Sequence, residues 1–376
     1  MFSPVTGSTS HMDAPIALEL FGINHSYRYQ LVRQMLIDAL DGTGAHYTIE
    51  DVSQIDKFIE EGLQSVPAIR VDHDKLFNIS LKEDPNATVQ EVLEYIMHNK
   101  IKSIVVPTHF SDQSINALHY AFGLAHPLGL RIELMHVHHP VVDPHNAVVL
   151  DTDMGETNRI QLTRLADELQ ANHHHGGGYA MPVETLFEVG YPLPMIVARS
   201  RRPDVAMLVM GTLGATNILD NLFGNVSSSV ASQAHCPVLL IPPDAQFSAP
   251  HKIMVAFDSE LVEGRSLDRL LTFNDDFKAH LDFVHVAGKD EVFDQIRNKL
   301  MQQLLDRGDI QFSFDIREIS NSHDIASQLD RYAVETNPDL LTVIARHRSF
   351  VNRMFHKSIS KNLCLHTNRP TLVLHT

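Results

Sequence analysis

The chain is short of three things, and each shortage removes a class of function. It has two cysteines, Cys236 and Cys364, among 376 residues. Two isolated thiols supply neither a disulfide framework nor a Cys-rich zinc site, and they suit a reducing cytoplasm. No apolar run approaches the ~20 residues that a membrane-spanning helix needs, which argues against a role in the membrane. Basic residues are outnumbered, with 30 Lys and Arg against 46 Asp and Glu and a formal net charge of −16. A nucleic-acid surface neutralises phosphates with clustered Lys and Arg, so this balance argues against such a partner. Residues 1–13 lack the basic and apolar segments of a secretory signal and read as a tag remnant or a disordered lead-in.

Catalytic signatures are scarce as well. There is no GxSxG elbow, no HExxH pair and no GK[ST] phosphate loop. A dedicated enzyme is therefore not the expectation. Histidine is plentiful, with 24 residues. His136 and His138 alternate along one strand face and could chelate a metal, but the sequence fixes no third ligand beside them. The run His173-His174-His175 before Gly176–Gly178 reads as a mobile loop, and no metal site is assigned.

What is present is internal repetition. KSIVVPTHFS (102–111) and KIMVAFDS (252–259) each place a lysine before an apolar run and a polar turn. IELMHVHHP (132–140) and LDFVHVAG (281–288) follow at similar intervals. RRPDVAMLVMG (201–211) matches TNPDLLTVIAR (336–346), and CPVLLIPP (236–243) matches RPTLVLHT (369–376). The runs IVVP, AMLVM and VLLI lack polar alternation, as buried parallel strands do. Helix-period stretches lie between them, including Ser111–Leu128 with Ser111 as N-cap, Thr157–Leu169, Leu193–Ser200 and Val226–Gln233. Alternating strands and helices imply βαβ units. The boundary between the repeats falls in PPDAQFSAPH (242–251), giving domains at 100–245 and 250–376.

Residues 14–99 read differently: a strand, a helix (Tyr29–Leu40), a strand, a short helix (Ile55–Glu61), the segment SVPAIRVD and a closing helix (Val89–Met97). Ser65-Val66-Pro67-Ala68-Ile69 carries a resemblance to the thioredoxin-like fold, which implies a cis Pro67. That family places C-x-x-C after its first strand. Here the segment is Gly22-Ile23-Asn24-His25-Ser26-Tyr27-Arg28-Tyr29, so disulfide exchange has no thiol to run on. The resemblance then implies a module that docks a protein partner.

The segment richest in information is Met210-Gly211-Thr212-Leu213-Gly214, continuing to Phe223-Gly224-Asn225-Val226-Ser227. Glycine after a strand lets the backbone turn and approach an anion, and a glycine opening a helix exposes free N–H groups to it. Gly211, Gly214 and Gly224, spaced Gly-x-x-Gly, nine residues, Gly, resemble the nucleotide loop of the universal stress protein family. Pro107-Thr108-His109-Phe110-Ser111 is similar to that family's first strand and turn. The resemblance implies an α/β fold of two Rossmann-like (adenine nucleotide alpha hydrolase-like) parallel-sheet domains packed as an intramolecular pseudo-dimer, with Val238–Ile241 and Thr371–Leu374 meeting antiparallel. Homodimerisation is left open. It further implies ATP or AMP as ligand, with Mg, held by Pro107, Thr108, His109, Val137, Met210, Gly211, Gly214, Gly224, Asn225, Val226 and Ser227.

Two departures bear on this. The family has Asp where His109 stands, and that Asp meets the adenosine end of the ligand. The loop position after the last glycine is Asn225 rather than Ser or Thr. In the second repeat Asp258 keeps the acid, but the later loop has no glycine; Arg346, Arg348 and Lys357 are its candidate phosphate contacts. The reading is a cytoplasmic nucleotide sensor or regulator of the stress response. Its alternatives are a nucleotide-independent protein-binding scaffold and a weak ATPase.

Overall fold

The computed structural model describes residues 5–6, 15–43, 45–63, 65–79, 84–139, 152–173, 183–212, 224–257, 261, 266–286, 293–308, 310–319, 325–345 and 369–375. The chain divides into two compact units. One gathers the residues up to Lys102 with 125–131 and 168–182; the other holds 103–124, 132–167 and 183–376.

The first unit runs β1 (Val5–Thr6), β2 (Ile16–Phe21), α1 (Tyr27–Thr43), β3 (Tyr47–Val52), α2 (Ile55–Glu60), β4 (Ala68–Val71), β5 (Lys75–Asn78) and α3 (Pro85–Asn99). Its sheet has the order β1-β3-β2-β4-β5. β2 and β3 are parallel, while β4 runs antiparallel to both β2 and β5. Alternation along β2 sends Leu18 and Leu20 into the core, where Leu36, Ile69 and Ile96 are also fully buried. Ser26 caps α1 by accepting from the Tyr29 N–H at 3.2 Å, and Asp84 caps α3 by accepting from the Asn86 N–H at 3.0 Å. The Val66–Pro67 peptide is cis, as the sequence implies. The cysteine-less segment is used for packing: Tyr29 is buried and donates its hydroxyl to Asp51 at 2.6 Å.

β5 is not anticipated by the sequence reading. It spans four residues, too few to show a period, and it returns from β4 through Asp72 and His73, both with positive φ (49° and 58°). The three-residue connection 72–74 closes with the Asp74 N–H on the Val71 carbonyl at 3.0 Å, and its two left-handed positions are filled by Asp and His without glycine.

The second unit opens with β6 (Ser103–Pro107), α4 (Asp112–Ala125), β7 (Arg131–His138), α5 (Thr152–His173) and β8 (Val183–Val189). It continues with α6 (Pro192–Arg199), β9 (Val205–Gly211), α7 (Gly224–Gln233) and β10 (Val238–Ile241). Then come β11 (Lys252–Phe257), α8 (Ser266–Asp275), β12 (His280–Val286), α9 (Phe293–Asp306), β13 (Phe314–Ile319), α10 (Ile325–Thr336), β14 (Leu340–Ala345) and β15 (Thr371–His375). All ten strands join one sheet, ordered β13-β12-β11-β14-β15-β10-β9-β6-β7-β8. Counted within each set of five, both halves have the strand order 3-2-1-4-5. Parallel pairing prevails inside each half. At the centre β10 and β15 pair antiparallel, with Val238 opposite Val373 and Leu240 opposite Thr371, as the sequence reading expects.

Burial follows position. β9, β10 and β15 are covered on both faces, whereas the edge strands β8 and β13 stay partly open. One apolar cluster crosses the junction, from Val105 and Ile196 through Leu240 and Val373 to Met254 and Val284.

Two contacts fix the first half. Arg199, ending α6, donates to both oxygens of Glu133 on β7 at 2.6 Å and to Asp204, just before β9, at 3.1 and 2.7 Å. Its hydrogen bonds raise its own pKa, with Glu133 the largest contributor, and hold the Asp204 carboxyl below the usual range. The stretch 242–251, read from sequence as a linker, is docked on α4. Asn116 donates to the carbonyls of Pro242 (3.0 Å) and Ala245 (3.1 Å). The Phe247 ring lies where a side chain on Gly123 would be, and meets Tyr120 edge-on at 5.4 Å.

Candidate functional site

In a parallel sheet the strand order reverses where successive crossovers leave in opposite directions, and the carboxyl ends of the strands open a crevice there. In the first half that place is between β6 and β9. A cavity of about 370 Å³ lies at it, bordered by the ends of β6, β7 and β9 and by residues of α4, α5, α6 and α7.

The turn after β6 is built by Thr108. Its Oγ accepts from the Phe110 N–H at 3.0 Å and lies 3.0 Å from the Ser114 hydroxyl. Phe110 takes φ 66°, so the chain bends sharply and leaves His109 at the exposed rim. Ser111 then caps α4, its Oγ accepting from the Ser114 N–H at 3.3 Å, as the sequence suggests.

Gly211 ends β9. A Cβ there would run into the backbone carbonyl of Gln113 in the first turn of α4, so the missing side chain is what lets helix and strand close together. Besides the anion approach that its place in the sequence suggests, Gly211 therefore has a packing role that any substitution must also disturb. The carbonyl of Gly211 accepts from the Ser227 hydroxyl at 2.9 Å, tying the first turn of α7 to the strand end. As a donor in that bond, the Ser227 hydroxyl keeps its oxygen lone pairs for accepting.

Pro107, Thr108, His109, Val137, Met210, Gly211, Val226 and Ser227 thus line one cavity. Gly224 opens α7 and Asn225 follows it in the first turn. Gly214, Asp258, Arg346, Arg348 and Lys357 lie outside the described residues.

The sequence reading missed the part of the cavity that α5 contributes. His136, buried on β7, donates from Nδ1 to the Thr108 carbonyl at 2.8 Å; a carbonyl only accepts, so the proton sits on Nδ1. Its Nε2 is then an acceptor when the ring is neutral. The amide Nδ2 of Asn158 lies 3.3 Å from that Nε2 and 3.3 Å from Nδ1 of His138. With two hydrogens, this one amide can reach both ring nitrogens, and it joins α5 to β7. Phe110 stacks on His136 at 4.5 Å, Phe187 on His138 at 6.2 Å, and Arg159 lies 4.5 Å from the Phe187 centroid. The histidine spacing was legible, but Asn158 carries no signal because its partners stand 20 and 22 residues away.

Among the described residues no group of three or more His, Cys, Asp or Glu is placed to hold a metal. No carboxylate is found among the described residues lining the cavity either. The described lining thus offers no carboxylate to a protein-held Mg ion.

Burial, followed by the like charge of His138, pushes the His136 pKa below the free-imidazole value, against the bond to Thr108. His109 is lowered too, first by its crowded surroundings and then by His136. Above about pH 6.5 neither folded nor unfolded chain protonates these rings, and they do not affect stability. As pH falls below that value, the unfolded chain takes up protons that the folded chain refuses, so stability declines toward the folded-state pKa. Thermal melts from pH 8 to 5.5 should show His136→Gln losing less stability over this window than the wild type. Equal pH dependence in the two would refute the assignment.

Residues 100–242 match the model of the universal stress protein family. Universal stress protein MJ0531 of Methanocaldococcus jannaschii is 26% identical over 143 residues, covering 38% of this chain and 83% of that protein. Universal stress protein YxiE of Bacillus subtilis is 24% identical over 154 residues, covering 39% of this chain and 99% of that protein. The crystal structure of a universal stress protein from Archaeoglobus fulgidus superposes with a TM-score of 0.58 at 18% identity, covering 73% of this chain and 96% of that one. The Rossmann-like fold of that family is therefore present, and residues 100–242 are the part of the chain that matches the family.

Proposed function

We propose that the protein is a cytoplasmic nucleotide-binding regulator of the universal stress type, with ATP or AMP as the ligand class of its first α/β half. The observation that carries this is the cavity at the strand-order reversal, which gathers the motif residues Thr108, His109, Gly211, Val226 and Ser227 from three separate stretches of chain. The first turn of α7 faces it, and a helix N-terminus offers free N–H groups and partial positive charge to a phosphate. Most of the remaining lining is apolar, which suits a purine and ribose.

In the same proposal the two halves are an internal duplication packed as a pseudo-dimer. Their identical 3-2-1-4-5 order and antiparallel β10–β15 join support it. The smaller sheet supports a thioredoxin-like module, since β3-β2-β4-β5 has that fold's order and orientation. Ile23, Tyr27, Ile55 and Ile59, exposed after the carboxyl ends of β2 and β3, would serve it in docking a protein partner.

Thermal melting with adenosine, AMP and ATP tests the nucleotide reading. A ligand at a hundredfold its Kd should add about 2.7 kcal/mol of stability. Val226→Trp, which fills the cavity, should lose the shift, with its unliganded melt measured alongside. No shift with any of the three, or an undiminished shift in the variant, would sink the reading.

A further inference from the structure

The helix whose first turn faces the cavity is held near its other end by the second half of the sheet. His375 closes β15 and is buried. Its Nε2 lies 2.8 Å from the carbonyl of Ala231 in α7, a residue 144 positions away in sequence. A carbonyl only accepts, so Nε2 carries the proton and donates. Ala231 stands in the last turn of α7, where carbonyls have no partner further along the helix. The His235 N–H donates to the Ser200 hydroxyl at 3.1 Å. The imidazole thus caps α7 from a distant part of the chain. The backbone of His375 is fixed in turn: it pairs with Ala345 of β14, and its carbonyl accepts from Arg269 of α8 at 3.3 Å.

At the near end, the Ser227 hydroxyl ties α7 to Gly211, and Val226 and Ser227 line the cavity. Ser227 and Ala231 are four residues apart, about 6 Å along the helix axis. Val230 and Ala231 are fully buried in the apolar cluster that also holds Leu240 and Val373. Close-packed interiors transmit displacement instead of absorbing it, so a tether at Ala231 bears on the cavity wall one turn away. The first half cannot return this contact from its own last strand. The run that ends it, VLLIPP (238–243), has no side chain able to donate a hydrogen bond.

We propose, resting on the nucleotide reading above, that His375 is a positioning residue for the cavity: from the last strand of the second half it holds α7, and so sets the place of Val226 and Ser227 against the ligand. In this role the second half acts on ligand binding in the first through one helix.

Isothermal titration of the full chain with AMP tests this on the wild type, His375→Leu and His375→Gln, under conditions where urea curves show all three folded. Leucine fills space without a donor, whereas glutamine keeps a side-chain N–H. His375→Leu should bind AMP roughly three- to tenfold more weakly, the range expected for one hydrogen bond, and His375→Gln should stay within about twofold of the wild type. Hydrogen exchange without nucleotide supplies a readout that does not depend on the ligand. The amides of residues 228–233 should lose protection in His375→Leu and keep it in His375→Gln. AMP binding by His375→Leu as tight as the wild type's, or by His375→Gln as weak as the leucine variant's, would overturn the positioning role while leaving the nucleotide reading intact. No AMP binding by the wild type would remove that reading, and the role toward the ligand with it. Unchanged exchange in His375→Leu would show that the tether does not hold the helix.

Discussion

Replacing Arg199 with leucine should destabilise the fold by about 3–5 kcal/mol, the usual cost of removing one partner from a buried ion pair. The reason lies in what remains. Glu133 has a side chain only 7% exposed, and both its oxygens are satisfied by Arg199 alone at 2.6 Å. Without the guanidinium the carboxylate is buried and unpaired, and Asp204 loses the contact that depresses its pKa. The abandoned Glu133 would escape by taking a proton. The variant should therefore recover part of its loss as pH falls toward the carboxylate range, whereas the wild type loses the Asp204 contribution there. Pairing Arg199→Leu with Glu133→Leu should restore much of the stability, since two apolar groups leave no orphaned charge. Urea unfolding of the two single variants and the double variant tests this. A loss below about 1 kcal/mol in Arg199→Leu would refute the bridge as a structural lock.

Gly211→Ala should lower stability by about 1–3 kcal/mol even with no ligand present. An added methyl ordinarily stabilises a chain slightly by restricting its unfolded state. Here it would strike the Gln113 carbonyl, which is backbone at the start of a capped helix and cannot rotate aside as a flexible side chain would. α4 must shift, and with it the Thr108–Ser114 contact and the rim that carries His109. Nucleotide binding should fall in parallel. Loss of binding in a Gly211 variant is thus no evidence by itself for phosphate contact, and Val226→Trp is the cleaner probe. A Gly211→Ala protein that melts at the wild-type temperature would show that α4 yields without cost.

Much of the scaffold was legible in the chain. Apolar runs without polar alternation marked β6, β9 and β10, and helix-period spacing marked α4, because burial on both faces or on one stripe leaves a local trace. The Ser111 cap was legible because a helix start leaves N–H groups that need a partner, whereas the antiparallel meeting of β10 with β15 was expected only from the family resemblance. β5 escaped because four residues show no period. The docked stretch 242–251 escaped because its anchor, the Phe247 ring over Gly123, joins positions far apart in sequence.

The candidate site divides along the same line. The scarcity of cysteine and of basic residues argued against disulfide exchange and a nucleic-acid partner, and the glycine spacing after β9 pointed to an anion, the nucleotide itself being what the family resemblance implies. Which residues share one cavity was decided only by the tertiary structure. The turn at Thr108, the end of β9 and the start of α7 meet because the parallel order 3-2-1-4-5 brings the carboxyl ends of distant strands together. The histidines that read as a potential metal pair share the Asn158 amide instead, because α5 packs over β7. Composition and spacing report what a residue can do, whereas only folding sets which partner satisfies its hydrogen bonds.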